Sequence, residues 1–270
     1  MYNKKTMVKN KFRYLDLIRE LAITDFKLKY QGSVAGYLWS LAKPLMVFGV
    51  LYMVFNVFVR IGASIPHYPL YLLLGVILWG YFAEATTVGM GSVVGKGDMI
   101  RKVYFPRIVL IISSSISAII TLFLNLLIVF LFMIFARLIP NPVQIVLFFV
   151  LIVELYVLTL GLSLILSSLF VKYRDIGHIW EVLVQVLFYA TPIIYPLAVV
   201  PMRFQKIILL SPISQIIQDS RWLLITNQTV TSESVLKFPL LLIPYAIPFL
   251  LVFIGYNIFQ KSSAKFAENV

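Results

Sequence analysis

The 270-residue chain contains no cysteine, which excludes disulfides, thiol catalysis and thiolate metal sites together. Histidine is nearly absent: only His67 and His178 occur, no HExxH helix is present, and metallopeptidase chemistry therefore has no ligand set. A nucleotide-binding loop is missing as well. The single Gly-Lys pair, Gly95 and Lys96, is followed by Gly97 instead of Ser or Thr, and Met90 stands where such a loop needs its first glycine. Ser113, Ser114, Ser115 and Ser117 have no histidine near in sequence and sit at helix-packing spacing, as small residues do where membrane helices approach closely. The chain is expected to carry no catalytic residue, no metal and no cofactor of its own.

Charge is scarce too, at 13% of residues, while 61% are hydrophobic and the mean hydropathy is +0.95. Apolar runs longer than about 18 residues exclude an ordinary soluble domain and define membrane spans. Six are expected, at 37–59, 70–94, 108–136, 143–171, 176–195 and 238–259. They leave no room for a soluble catalytic domain, which needs about 100 residues. Basic residues orient the spans: nine fall in 1–43, four in 96–107, two in 172–175 and two after 259. Arg60, Arg137, Arg203, Lys206, Arg221 and Lys237 fall on or near the other face, so both termini are expected in the cytoplasm. The net charge of +12 is thereby mainly a topology signal and only secondarily a hint of nucleic acid or an anionic substrate, and no nucleic-acid partner is expected. The expected fold is an all-α membrane protein forming one domain over 1–270. It comprises a cytoplasmic amphipathic interface helix in 1–36, six spans in 37–259 with a re-entrant segment at about 197–225, and a tail at 260–270.

The run 172–196, KYRDIGHIWEVLVQVLFYATPIIYP, departs most from a plain span. His178, Glu181, Gln185 and Tyr189 share one helical face, which is expected to look inward. From Ile176 to Thr191 a helix reaches about 24 Å, short of a hydrocarbon core of about 30 Å, before Pro192 and Pro196 break it. The charged turn, rigid helix and proline break together read as a transmission element. Beyond it, 207–225 is apolar but interrupted by Pro212, Asp219 and Arg221, and reads as re-entrant or interfacial on the outer face.

Two segments suggest cytoplasmic contacts. In the first, Arg13, Asp16, Glu20, Thr24, Lys27 and Gln31 form one stripe opposite Phe12, Leu15, Ile18, Ala22, Phe26 and Tyr30, either a membrane anchor or a helix whose polar face receives a partner. In the second, GKGDMIRKVYFPRI at 95–108, a short amphipathic helix with exposed aromatics is expected, for docking or as a solvated turn. Within the spans, Glu84, Glu154 and Glu181 have no mid-depth Lys or Arg expected to pair with them, and read as a proton relay or as hydrogen-bonded carboxyls that fix packing. Trp39, Phe48 and Tyr52 along the first span, with Trp79 and Tyr81 near Glu84 in the second, offer rings over which sugar faces can slide.

The runs RKVYFPRI at 101–108, YRDIGHIWEV at 173–182 and YATPIIYP at 189–196, with WGYFAEA at 79–85, resemble the polysaccharide and teichoic-acid export permeases of the ATP-binding-cassette superfamily. The likeness runs nearly end to end; overall likeness favours the teichoic-acid branch, while lipopolysaccharide O-antigen and capsule permeases share the same motifs. It implies a homodimer in the bacterial cytoplasmic membrane, joined to two copies of a separate ATPase that bind ATP and Mg. The substrate implied is a glycan polymer on a polyprenyl pyrophosphate.

Carried over by position, Asp98, Met99, Ile100, Arg101, Lys102, Tyr104, Phe105 and Pro106 resemble the family's ATPase-coupling helix. Tyr173, Arg174 and Asp175 would form a second contact, and Arg13, Asp16, Glu20 and Lys27 lie on the interface helix. Trp39, Phe48, Tyr52, Trp79, Tyr81 and Glu84 are the expected substrate path, and Pro192 and Pro196 begin the outer re-entrant cap. The rival expectation is an ion- or proton-coupled transporter using Glu84 and Glu154.

Overall fold

The computed structural model describes residues 4–30, 36, 38–103, 105–264 and 266, and among them every regular element is helical. In chain order these are α1 (Lys4–Tyr30), α2 (Leu38–Tyr52, continued as a π-helix over Met53–Phe58), α3 (Tyr68–Gly91), α4 (Gly97–Lys102) and α5 (Ile108–Phe135). There follow α6 (Pro142–Lys172), α7 (Ile176–Ala190), α8 (Met202–Leu209), α9 (Pro212–Leu224), α10 (Ser232–Val235) and α11 (Leu242–Ser263).

Among the described residues, five helices are long and apolar enough to cross a membrane: Leu38–Phe58, Tyr68–Gly91, Ile108–Phe135, Pro142–Lys172 and Leu242–Ser263. The sixth expected span is the shorter α7. It stops at Ala190, because Pro192 lacks the amide that would continue the hydrogen-bond ladder, and 191–195 turns back into the protein instead of extending the helix. The 207–225 stretch is two helices, not one segment, since Pro212 starts α9 afresh after a turn at 210–211. At the start of α6, Asn141 and Gln144 form a reciprocal cap with Pro142 in the first turn, which fixes where that long helix begins.

The centre of the chain is α3. Leu72, Leu73, Leu74 and Leu78 are all sealed, which requires neighbours on every side, and α2, α5, α6, α7 and α9 supply them. α6 and α11 make the closest helix pair. A Cβ on Gly161 would lie 2.7 Å from the amide nitrogen of Val252, and one on Gly255 would lie 2.7 Å from the carbonyl oxygen of Gly161, so both positions need glycine for the backbones to meet.

A second apolar cluster closes one end. Val93, Ile100, Phe105, Leu110, Val171, Phe259 and Phe266 pack there with Tyr14, Leu17, Ile18 and Leu21 of α1. The first helix, α4 and the end of α11 therefore share one end of the molecule, and α1 is bound to the bundle instead of lying free on a surface. At the opposite end Leu197, Leu209 and Leu236 join the turn after α7 to α8 and α10. Two helices stay largely uncovered. The apolar window of α2 has no buried residue, and α7 buries only Trp180.

Candidate functional site

A cleft of about 760 Å³ opens between α1, α2, α3, α5 and α7. It collects Trp39 and Lys43 from α2, Trp79, Tyr81 and Glu84 from α3, Thr121 and Asn125 from α5, Phe188 from α7, and Lys29 from α1. The ammonium of Lys29 forms an ion pair with Glu84 and lies 3.5 Å from the hydroxyl of Thr121. This corrects the expectation that no basic group would meet Glu84: the cation comes from the helix outside the spans, whose last turn rises into the bundle. Glu84 stands about 10 Å from the α3 end at Gly91, shallow enough for that reach.

The cleft unites Trp39, Trp79, Tyr81 and Glu84, while Phe48 and Tyr52 pack on each other 5.8 Å apart and do not line it. Trp79 is wedged against Phe82 and Phe188, with ring centroids 5.1 and 5.9 Å apart. The Tyr81 hydroxyl shares a hydrogen bond of 3.3 Å with Thr159 of α6, so its polar tip is already engaged away from the opening. The freely presented ring is Trp39, which is exposed beside Lys43. Lys29, Lys43, Asn125 and Phe188 were missed from the sequence. Lys43 and Asn125 did carry a signal, as polar residues inside otherwise apolar helices.

The same helix α1 is tied to the segment entering α4. Lys96 pairs with Asp25 at 2.6 Å, one turn before Lys29, so a single face of α1 holds the cleft through Lys29 and the α4 approach through Asp25. On α4 itself, Asp98 and Arg101 pair at 2.9 Å on the open surface, and Lys102, Val103 and Pro106 are exposed beside them. Met99 is half-buried, whereas Ile100 and Phe105 are buried. The expectation of exposed aromatics fails at Phe105. With only 7% of its surface open, it anchors the segment in the end cluster. Tyr104 lies outside the described residues, as does the side chain of Arg13. Asp16, Glu20 and Lys27 are exposed on α1. Tyr173, Arg174 and Asp175 are exposed at the turn from α6 to α7, where Lys172 lies over the Tyr173 ring and Arg174 over that of Phe170.

At the far end of α7 the chain is clamped. Arg221 of α9 is fully buried, and its guanidinium donates to the carbonyls of Pro192 at 2.6 Å, Ile193 at 2.7 Å and Tyr71 at 2.9 Å, and to Gln218 at 2.9 Å. It also stacks 3.6 Å from the Tyr71 ring centre. The Tyr68 hydroxyl donates to the next carbonyl, Ile194, at 2.7 Å. Three successive carbonyls freed by the proline break are thus each given a donor, which low-dielectric surroundings require. Sequence reading treated Arg221 as an outer-face charge and an interruption of an apolar stretch, not as a clamp. Pro192 and Pro196 are both buried in this elbow.

The α7 stripe points the other way from expectation. His178, Glu181, Gln185 and Tyr189 are exposed with Ile179, Val182 and Val186, because the opposite face, carrying Trp180, is the one packed on α3. The Trp180 indole donates to Thr86 at 3.2 Å and fixes that choice.

The chain is thus a helical protein with five helices fit to cross a membrane, a docked first helix, a short half-exposed helix beside it and a clamped broken helix. The chain belongs to the ABC-2 type transporter family, whose model matches residues 16–225. It is similar to the O-antigen export system permease protein RfbA of Klebsiella pneumoniae, 29% identical over 253 residues and 94% of each chain. A second Klebsiella pneumoniae protein of that name is 28% identical over the same length, and the one from Myxococcus xanthus is 26% identical over 267 residues, 98% of this chain and 99% of the relative. Membership implies a membrane setting and a separate ATP-binding-cassette ATPase as partner.

Proposed function

We propose that the chain is the permease of an ATP-driven exporter of a cell-surface polysaccharide carried on a polyprenyl pyrophosphate, with six spans, both termini in the cytoplasm and α7 as the shortest span. The observation that carries this reading is the double tie of α1, to the segment entering α4 through Asp25 and Lys96 and to the cleft through Lys29 and Glu84. One rigid element thereby joins a surface fit for a motor to a cavity fit for cargo. Lys29 and Lys43 outnumber Glu84 in that cavity, which suits an anionic diphosphate, and exposed Trp39 suits a sugar face. The relatives' names point to O-antigen and the motif likeness to teichoic acid; both are polymers of this class.

The ATPase would take the exposed residues Asp98, Arg101, Lys102 and Pro106 with the turn at Tyr173, Arg174 and Asp175, while buried Ile100 and Phe105 transmit its displacement into the end cluster. ATP and Mg belong to that partner. A second copy of the chain would cover α2 and α7, whose apolar faces are bare and whose Glu181 and Gln185 need partners or water in lipid. At the other end of α7, the Arg221 clamp would turn helix movement into movement of the outer cap. The rival relay is weakened because Glu84 and Glu154 line different clefts.

An ion pair about one-third exposed contributes on the order of 1 kcal/mol, enough to bias α1 and weak enough for a cargo diphosphate to displace. In the complex with its ATPase, Lys29→Glu or Glu84→Lys alone should abolish stimulation of ATP turnover by lipid-linked glycan, and the double exchange should restore part of it. Undiminished stimulation in both single variants would refute the lever.

A further inference from the structure

At the end of the bundle opposite α4, the short helix α8 is covered on one side only. That side carries Gln205 and Leu209, four residues apart. Leu209 enters the apolar cluster with Leu197, Leu236 and Leu241, and Gln205 donates to the Val200 carbonyl at 2.6 Å. The uncovered remainder is divided by chemistry. Arg203 and Lys206, three apart, share one side, while Phe204 and Ile207, also three apart, share the next, and all four are exposed. Ile207 leaves 65% of its surface open. The Arg203 guanidinium lies 4.6 Å from the Phe204 ring centre, so charge and apolar surface meet along one edge of the helix. The turn into α11, joined to α8 through Leu236 and Leu241, repeats the pairing: Lys237 is exposed beside Phe238, whose surface is 80% open.

Charge and depth narrow what covers these sides. Among the described residues Arg203, Lys206 and Lys237 enter no ion pair. The only carboxylates in 197–241 are Asp219, occupied by the hydroxyls of Ser232 and Tyr245 at 3.0 and 2.8 Å, and Glu233. The patch is therefore cationic and wants an anion that also brings apolar surface. Leu241 directly precedes α11, whose 22 residues measure about 33 Å from the end that packs near α4, so the cluster holding α8 stands at the far boundary of a hydrocarbon core of about 30 Å. A helix at that level meets phosphate and water on one side and acyl chains on another, which is the division its side chains show. A second copy of the chain fits less well. An eight-residue helix and a short turn fall short of the roughly 800 Å² per partner that a stable interface buries, and α8 packs on α9 and α10, whereas the bare faces are those of α2 and α7.

We propose that α8 and the turn at 237–240 bind anionic phospholipid of the outer leaflet, with Arg203, Lys206 and Lys237 on the headgroup phosphate and Phe204, Ile207 and Phe238 among the chains. The leaflet follows from the topology proposed above; the lipid contact itself does not depend on export. Because α8 follows the elbow at 191–196 that Arg221 clamps, lipid that fixes the height of α8 also steadies the end of α7. The test uses the full chain with its ATPase in nanodiscs. The protein has no cysteine, so Ile207→Cys carries a single fluorophore, quenched by phosphatidylcholine with brominated chains. Unbrominated phosphatidylglycerol should relieve that quenching at about one-tenth the mole fraction that unbrominated phosphatidylcholine needs, and inorganic phosphate should leave it unchanged. Adding Arg203→Gln with Lys206→Gln should bring the two lipids close to parity without lowering the unfolding temperature in detergent, since both side chains are exposed. No quenching by brominated lipid, equal displacement by the two lipids, an undiminished preference in the double variant, or a disulfide-linked dimer through unlabelled Ile207→Cys would each overturn the assignment.

Discussion

Arg221→Met tests most sharply how the broken helix is held. The substitution fills most of the side-chain volume but removes the donors to Pro192, Ile193, Tyr71 and Gln218. The Pro192 and Ile193 carbonyls lie in a buried, non-helical turn, and each carbonyl orphaned there costs about 1 to 3 kcal/mol. Removing a buried charge returns part of its desolvation cost, so a net loss of about 3 kcal/mol is expected, within the range for breaking a buried charged contact. At about 1.4 kcal/mol per decade this is roughly a 150-fold rise in local opening. Hydrogen exchange by mass spectrometry should show that rise in peptides covering 191–197, with α6 and α11 unaffected. Arg221→Lys should fall between, since an ammonium keeps the charge but cannot span three carbonyls and the Tyr71 face. Gly75→Ala should mimic the loss, because its Cβ would lie 2.3 Å from Nη2 of Arg221. Wild-type exchange in Arg221→Met, or Lys equal to Arg, would refute the clamp.

Other predictions follow from burial and exposure. Phe105→Ala should destabilise the end cluster by about 3 to 5 kcal/mol, the usual cost of an emptied aromatic site, seen as faster proteolysis at 97–107. Arg101→Ala with Lys102→Ala should leave proteolysis unchanged and reduce capture of the ATPase, since both side chains are exposed. The absence of cysteine makes single-cysteine variants background-free: Val186→Cys on the bare face of α7 should form a disulfide-linked dimer, and Val184→Cys, half-buried on α7, should form far less.

Five of the expected spans were legible because lipid enforces long apolar runs, and Pro192 marked the end of α7, whereas Pro212 read as an interruption of 207–225 and is in fact the start of α9. What stayed hidden depended on contacts distant in sequence. Lys29 and Glu84 are 55 positions apart, and nothing local says that the last turn of α1 rises to meet α3. Arg221 looked like a flaw in an apolar helix because its acceptors are backbone carbonyls of 71, 192 and 193, which no side-chain pattern reveals. The amphipathic pattern around α4 was visible, but which of its apolar residues anchor the segment was not; that depends on the neighbouring ends of α6 and α11. The stripe on α7 was read correctly as one face, yet its direction is set by Trp180 packing on α3.

The central claim is that this chain moves an anionic lipid-linked glycan under power from a separate ATPase. Its most direct test is transport in sealed proteoliposomes holding the permease and its ATPase, with a lipid-linked O-antigen or teichoic-acid precursor supplied on the ATPase side. The account predicts that glycan appears on the opposite face only with ATP and Mg present, and that collapsing the proton gradient leaves the rate unchanged. Transport that proceeds without ATP, follows the proton gradient and is abolished by Glu84→Gln or Glu154→Gln would contradict it.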